Sequence, residues 1–207
     1  FAEYICVPAC NLHQVPETVS TDAAVFTEPL AAAFQIPAQI KIDRSSRALV
    51  LGDGRLGNLC SQVLKLSGCQ VTTVGKHPRK LQLLQNLDIE TVLLDNLQPT
   101  KEYDLVVDCT GSAAGLPIAV QHCKPRGTVV LKTTVAGEQT LSLAPIVIDE
   151  ITVVGSRCGP FATALSALQQ DLIDVLPLIS SRFPLEQGDA AIEEARVKPV
   201  LKVILDV

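Results

Sequence analysis

Leu49-Val50-Leu51-Gly52-Asp53-Gly54-Arg55-Leu56-Gly57-Asn58-Leu59 decides the fold of this chain. The apolar run at 48–51 suits a strand buried on both faces. Residues 58–66 then put Leu59, Val63, Leu64 and Leu66 on one helical face. Between them stands G-x-G-x-x-G. That spacing alone is weak, but a strand before it and a helix after it are the context it requires. Gly52 permits the tight turn, Gly54 lets the backbone approach a pyrophosphate, and Gly57 lets the helix pack closely on the strand. Asp53, Arg55 and Leu56 complete the turn. The helix start offers free N–H groups and a positive dipole end to an anion. The stretch therefore predicts a dinucleotide site. A glycine turn without a ligand and a methyltransferase fold are the alternatives.

Outward from this turn, strands and helices alternate. Strands are expected at 70–74, 90–94, 104–108, 128–132, 150–155 and 200–207. Helices are expected at 58–66, 78–87, 116–123, 162–170 and 188–196. Gly68 closes the first helix, and Pro125-Arg126-Gly127 reads as a turn. Such alternation predicts an α/β fold with a doubly wound parallel sheet of the Rossmann type. Upstream, 21–37 reads as a helix capped by Thr21 or Asp22 and kinked or restarted at Pro29. Residues 38–47 read as a linker, and 1–20 as strand-like and then turn-rich.

Composition narrows the function. The 207 residues are 47% hydrophobic with a net charge of −5. That charge argues against a nucleic-acid partner, since no basic stripe exists to neutralise phosphates. No apolar run reaches the ~18 residues of a membrane span, and no signal-peptide pattern opens the chain. Seven scattered cysteines without a C-x-x-C pair suit reduced thiols in a cytoplasmic protein. The chain opens on Phe1 in what reads as mid-strand, which suits a piece of a longer protein.

The end of the second strand bears on cofactor choice. NAD-binding proteins place an acid about 20 positions after the glycine turn, on the ribose. Here the strand ends at Gly75, followed by Lys76, His77, Pro78, Arg79 and Lys80, with no carboxylate. Glycine leaves room for a 2′-phosphate, and Lys76, Arg79 and Lys80 supply counter-charge. NADP(H) is expected over NAD(H), and Gly75→Asp is expected to reverse the preference. His77 is a candidate to stack on adenine or bond a phosphate.

The sequence resembles the medium-chain dehydrogenase/reductase superfamily, in its zinc-dependent alcohol, sorbitol and threonine dehydrogenase-like branch. The likeness is carried by Phe1-Ala-Glu-Tyr with Val7-Pro and Asn11-Leu, by Glu28-Pro-Leu-Ala-Ala-Ala, by Val50-Leu-Gly-Asp-Gly-Arg-Leu-Gly and by Asp104-Leu-Val-Val-Asp-Cys-Thr-Gly. It continues through Pro125-Arg-Gly-Thr-Val-Val-Leu and Leu201-Lys-Val-Ile-Leu. The resemblance implies that 1–20 is the remnant of a GroES-like catalytic domain. It implies a Rossmann domain at 21–185, and a helix and strand at 186–207 that return toward the catalytic domain.

The resemblance also implies roles. Glu28 lies at or beside the catalytic zinc in that branch, with the remaining ligands supplied from outside this stretch. Cys109, Thr110 and Gly111 sit at the end of one strand, and Leu131, Lys132 and Thr133 at the end of the next, where the family binds nicotinamide. Lys132 departs from the usual small or apolar residue. Gly155, Ser156 and Arg157 lie near the nicotinamide in relatives, and Lys202 matches a basic residue that reaches the pyrophosphate. His13 and His122 read as structural. The implied parent is an NADP(H)-dependent oxidoreductase acting on a small alcohol or carbonyl, pairing into a homodimer through its sheet edge. Two alternatives are a zinc-free quinone or enoyl reductase, against which Glu28-Pro-Leu argues, and a non-catalytic nucleotide-binding or assembly module.

Overall fold

The computed structural model describes residues 1–135, 140–197 and 199–207. In chain order the regular elements are α1 (Thr21–Ala24), α2 (Thr27–Gln39), β1 (Arg47–Leu51), α3 (Arg55–Leu66), β2 (Gln70–Gly75), α4 (Pro78–Gln85), β3 (Glu90–Leu93) and β4 (Tyr103–Asp108). They continue with α5 (Gly115–His122), β5 (Cys123–Leu131), α6 (Ala144–Ile148), β6 (Thr152–Gly155), α7 (Phe161–Gln169), β7 (Ile179–Pro184), α8 (Gly188–Arg196) and β8 (Lys202–Asp206).

The chain divides into two compact units. The larger, Glu28–Pro160, holds a six-stranded sheet in the order β3-β2-β1-β4-β5-β6. All of its neighbouring strands pair in parallel. This is the doubly wound order, in which the chain reverses direction across the sheet between β1 and β4. Ala48 to Leu51 are buried, as are Val106, Val107, Val129 and Val130. Central strands covered on both faces need this continuous apolar pattern. The register places Leu51 beside Asp108, Asp108 beside Leu131, and Leu131 beside Gly155. The carboxyl ends of four strands thus finish along one line.

The smaller unit, Phe1–Thr27 with Phe161–Val207, holds β7 and β8, paired in parallel. Arg182 ties it together, with one guanidinium bonded to Asp22 and to both carboxylate oxygens of Asp206.

Several expectations change. Pro29 does mark a restart, since α1 ends at Ala24 and α2 begins at Thr27. The helix runs on to Gln39, into the stretch expected as a linker. The early stretch forms no strand. Among its described residues only a single 3-10 turn, Ala9–Asn11, is regular, and Phe1, Tyr4 and Ile5 stand exposed. A strand needs a ladder partner, which alternation alone does not provide. Pro125-Arg126-Gly127 is absorbed into β5 as a bulge, where the register passes from Tyr103–Cys123 to Leu105–Thr128 and Arg126 takes φ +63°. β7 was not expected at all.

Candidate cofactor site

The glycine turn after β1 is built by close approach. Gly52 has φ +118°, and a Cβ there would lie 2.8 Å from the Cys109 carbonyl oxygen. A Cβ on Gly57 would lie 2.0 Å from the Gly52 carbonyl oxygen. Both positions admit only glycine, the first for the turn and the second for seating α3 against it. Gly54 differs, because a Cβ there would meet nothing within 4 Å. The space above the middle glycine is open. Gly52 N donates to Val74 O at 2.8 Å and Cys109 N to Leu51 O at 2.9 Å, which pins the turn between β2 and β4. Beneath it, Ser61 Oγ bonds both Gly57 O and Thr73 Oγ1, so α3 is fixed to β2 as well.

The end of β2 departs from expectation. A carboxylate does stand there, delivered by Asp53 from the glycine turn. Its Oδ2 accepts from the backbone N–H of Lys76 and of His77, each at 2.7 Å. His77 Nδ1 lies 2.9 Å from the same oxygen and 3.2 Å from Oδ1. A Cβ on Gly75 would lie 2.4 Å from Asp53 Cβ and 2.6 Å from its Oδ2. Gly75 therefore makes room for Asp53 in addition to any phosphate. The expectation that Gly75→Asp simply reverses cofactor preference is corrected by this geometry, because the new side chain would first have to displace Asp53. Lys76 and Arg79 are exposed around this point, with Lys80 half-buried.

A residue that the sequence reading did not single out organises the next two strand ends. Asp108 is buried at the end of β4. Its Oδ1 accepts from Thr110 N, Thr110 Oγ1 and Thr133 Oγ1 at 2.8 to 2.9 Å. Its carbonyl accepts from the N–H groups of Lys132 and Thr133. Thr133 Oγ1 in turn accepts from Gly111 N at 3.0 Å. Gly115 lies so close that a Cβ would be 2.4 Å from the Asp108 carboxylate. One acid thus holds Thr110, Gly111, Lys132 and Thr133 as a single rim. The signal was present as a buried-type strand ending in Asp, followed by threonine two positions on, the spacing of a side chain that bonds its own backbone.

Lys132 Nζ donates to the Ala32 carbonyl in α2. Burial pushes its ammonium below the usual lysine range, against the pull of nearby Cys60, Cys109 and Cys158. The Cys109 thiol is held well above its ordinary value by its bond to Cys60 and by burial. Cys109 is therefore not a ready nucleophile. Ser156 follows β6, and its N–H donates to Leu131 O. Its hydroxyl is buried with no partner among the described residues. Gly155 next to it would have open space for a Cβ.

Glu28 is exposed in the first turn of α2. Among the described residues no three His, Cys, Asp or Glu side chains gather to hold a metal ion, so Glu28 does not make a zinc site with its surroundings. Lys202 belongs to the smaller unit, where its ammonium lies 5.1 Å over the Phe26 ring. His13 stacks on Phe161, and His122 is buried between the carbonyls of Ile118 and Gln98.

Comparison with known proteins matches residues 56–181 to the family described as zinc-binding dehydrogenase. Sorbitol dehydrogenase from Halalkalibacterium halodurans is 26% identical over 222 residues, covering 99% of this chain. The chain spans 64% of that relative's length. Among solved structures, one from Sinorhizobium meliloti 1021, described as a zinc-binding dehydrogenase and bound to NADP, superposes with a TM-score of 0.89. It is 23% identical, and the match covers 99% of this chain and 65% of that one. A short chain alcohol dehydrogenase from Escherichia coli CFT073, complexed with NADH, gives a TM-score of 0.86 at 21% identity. That match covers 97% of this chain and 64% of the other. At these identities the superpositions speak for the fold.

Proposed function

The chain belongs to the zinc-binding dehydrogenase family, and from that premise we propose that its six-stranded unit is the NADP(H)-binding domain of an alcohol dehydrogenase-like oxidoreductase. The observation that carries this reading is the contrast among the three glycines. Gly52 and Gly57 are filled by neighbouring backbone while Gly54 faces open space, at the point where the sheet reverses. A pyrophosphate would lie over Gly54 and against the first turn of α3, with Arg55 and Leu56 beside it. The ribose would sit toward Gly75 and His77. Lys76, Arg79 and Lys80 offer counter-charge to a 2′-phosphate, which supports NADP(H) over NAD(H). The nicotinamide would lie along the rim set by Asp108, against Cys109, Thr110, Gly111, Leu131 and Thr133. There the unpartnered Ser156 hydroxyl offers a hydrogen bond to a polar group.

Bound NADP(H) supplies the hydride chemistry between nicotinamide and an alcohol or carbonyl. This chain's own part is to bind and orient. The glycine turn fixes the pyrophosphate, Asp108 fixes the rim, and Lys132 stays bonded to α2 without entering the reaction.

In the same reading, 1–20 belongs with a GroES-like catalytic domain, and 186–207 returns toward it. Among the described residues no set of donors gathers at Glu28 to hold zinc, so zinc chemistry at Glu28 would draw its other ligands from outside them. The substrate is a small alcohol or carbonyl compound. A second copy pairs through the β6 edge. No helix among the described residues is long and apolar enough to cross a membrane.

The test is titration of the 207-residue chain with NADPH and with NADH, read by calorimetry. NADPH is expected to bind more tightly. Equal affinities, or tighter NADH, overturn the NADP(H) preference, and binding of neither overturns the cofactor reading.

A further inference from the structure

We propose that Asp53 is the adenosine-ribose acid of this chain, delivered from the glycine turn and not from the end of β2, and that it sets how far NADPH is favoured over NADH. The inference rests on the cofactor reading above. Doubly wound dinucleotide sites put an acid at the end of the second strand to accept from the ribose 2′-hydroxyl. In this chain that position is Gly75, which has no side chain to offer. The volume a side chain at Gly75 would fill is nevertheless occupied, because a Cβ there falls 2.4 Å from Asp53 Cβ and 2.7 Å from its carboxyl carbon. Two residues 22 positions apart (75 minus 53) thus share one site, with glycine at one making space for the acid at the other.

The bonds around Asp53 fix its orientation. Oδ2 is taken by the two backbone N–H groups of Lys76 and His77. Among the described residues Oδ1 keeps a single polar contact, the 3.2 Å approach of His77 Nδ1, and so retains lone-pair capacity for a hydroxyl. Lys76 and His77 are held in turn, so the same carboxylate shapes the turn that carries the counter-charge for a 2′-phosphate. With NADH, Oδ1 accepts from the 2′-hydroxyl. With NADPH that hydroxyl is esterified, and the carboxylate opposes the phosphate that Lys76, Arg79 and Lys80 attract. Asp53 therefore tempers a preference that those cations create.

The decisive measurement is the ratio of dissociation constants for NADPH and NADH in the wild-type chain and in Asp53→Asn. The variant keeps the shape and an oxygen for the backbone donors, and it removes the charge. Asp53→Asn is expected to shift the ratio toward NADPH by about tenfold or more, chiefly through weakened NADH. A second measurement needs no variant. NADH whose adenosine lacks the 2′-hydroxyl is expected to bind the wild-type chain about tenfold less tightly than NADH. If Asp53→Asn weakens both cofactors alike, or leaves the ratio unchanged, Asp53 only props up the turn and the proposal falls. Indifference of the wild-type chain to the missing hydroxyl also overturns it. Wild-type protein that binds neither cofactor defeats the cofactor reading, and this inference with it. Wild-type protein that binds NADH as tightly as NADPH defeats only the NADP(H) preference, and the shift in Asp53→Asn still decides the role of Asp53.

Discussion

Gly57 bears the tightest contact in the turn. A methyl group there would sit 2.0 Å from the Gly52 carbonyl oxygen, backbone that cannot rotate away. Gly57→Ala must therefore push α3 off β1 or twist the turn proposed to seat the pyrophosphate. We expect a loss of about 3 kcal/mol in unfolding free energy, measured by urea denaturation, and cofactor binding too weak to detect. Gly54→Ala is the contrasting case, since nothing protein-borne lies within 4 Å. It should fold as the wild type does and lose affinity alone; stability equal to wild type in both variants would refute the packing role of Gly57. The three glycines were legible because each position of G-x-G-x-x-G has its own mechanical reason. Asp53 was legible only as a member of the turn. Its reach to the end of β2 depends on a missing side chain at Gly75, and no local pattern links the two positions. Asp108 was legible only in part, since its two bonds to Thr110 follow a local spacing while the bond to Thr133 reaches a second strand end.

At the scale of elements, the amino ends of the central strands are held by charge. Asp104, early in β4, accepts from Arg47 N in β1 at 2.8 Å and pairs with Lys124 in β5. Burial would raise its carboxyl, yet the bond to Lys124 and the backbone donors outweigh this and hold it below the usual aspartate range. A carboxyl lowered in the folded state stabilises fully above its unfolded value, near pH 3.9. That stabilisation is lost as pH falls through the folded value. The stability of the wild-type chain should therefore fall with acid over this window, and Asp104→Asn should flatten the fall while lowering stability at neutral pH. Denaturant unfolding at pH 7 and pH 3 measures both, and an unchanged acid slope in the variant would remove Asp104 from the account. Elements were read best where periodicity is local. The amphipathic helix Gly188–Arg196 matches its expected limits. β7 carries Ser180, Ser181, Arg182 and Pro184, with no apolar run, and exists through its pairing with β8. The first 20 residues show the converse, apolar residues that suggest a strand but find no ladder among the described ones.

For the molecule as a whole, the unequal edges of the larger sheet matter. β3 and β6 each have one neighbour. β6 is the more exposed, with Thr152, Val153 and Gly155 open to solvent. Val147 and Ile148, in the helix just before it, are 74% and 78% exposed. An apolar edge strand with unpaired backbone groups invites a second strand, and a closed pair through a two-fold axis satisfies both copies at once. The expected species is a dimer, twice the 22.1 kDa of the chain. A lysine on that strand opposes its own copy across such an axis and solvates the edge in the monomer. Sedimentation equilibrium should thus return a dimer for the wild type and a monomer for Val153→Lys. Cofactor affinity should survive the change, because Val153 lies inside β6, short of its Gly155 end, and the glycine turn and Asp53 carboxylate stand at the ends of β1 and β2, at least two strands away. A wild-type monomer, or a variant that stays dimeric, would place self-association elsewhere or dismiss it. Loss of cofactor binding together with dimerisation would instead tie the glycine turn and the β6 edge to a single folding event.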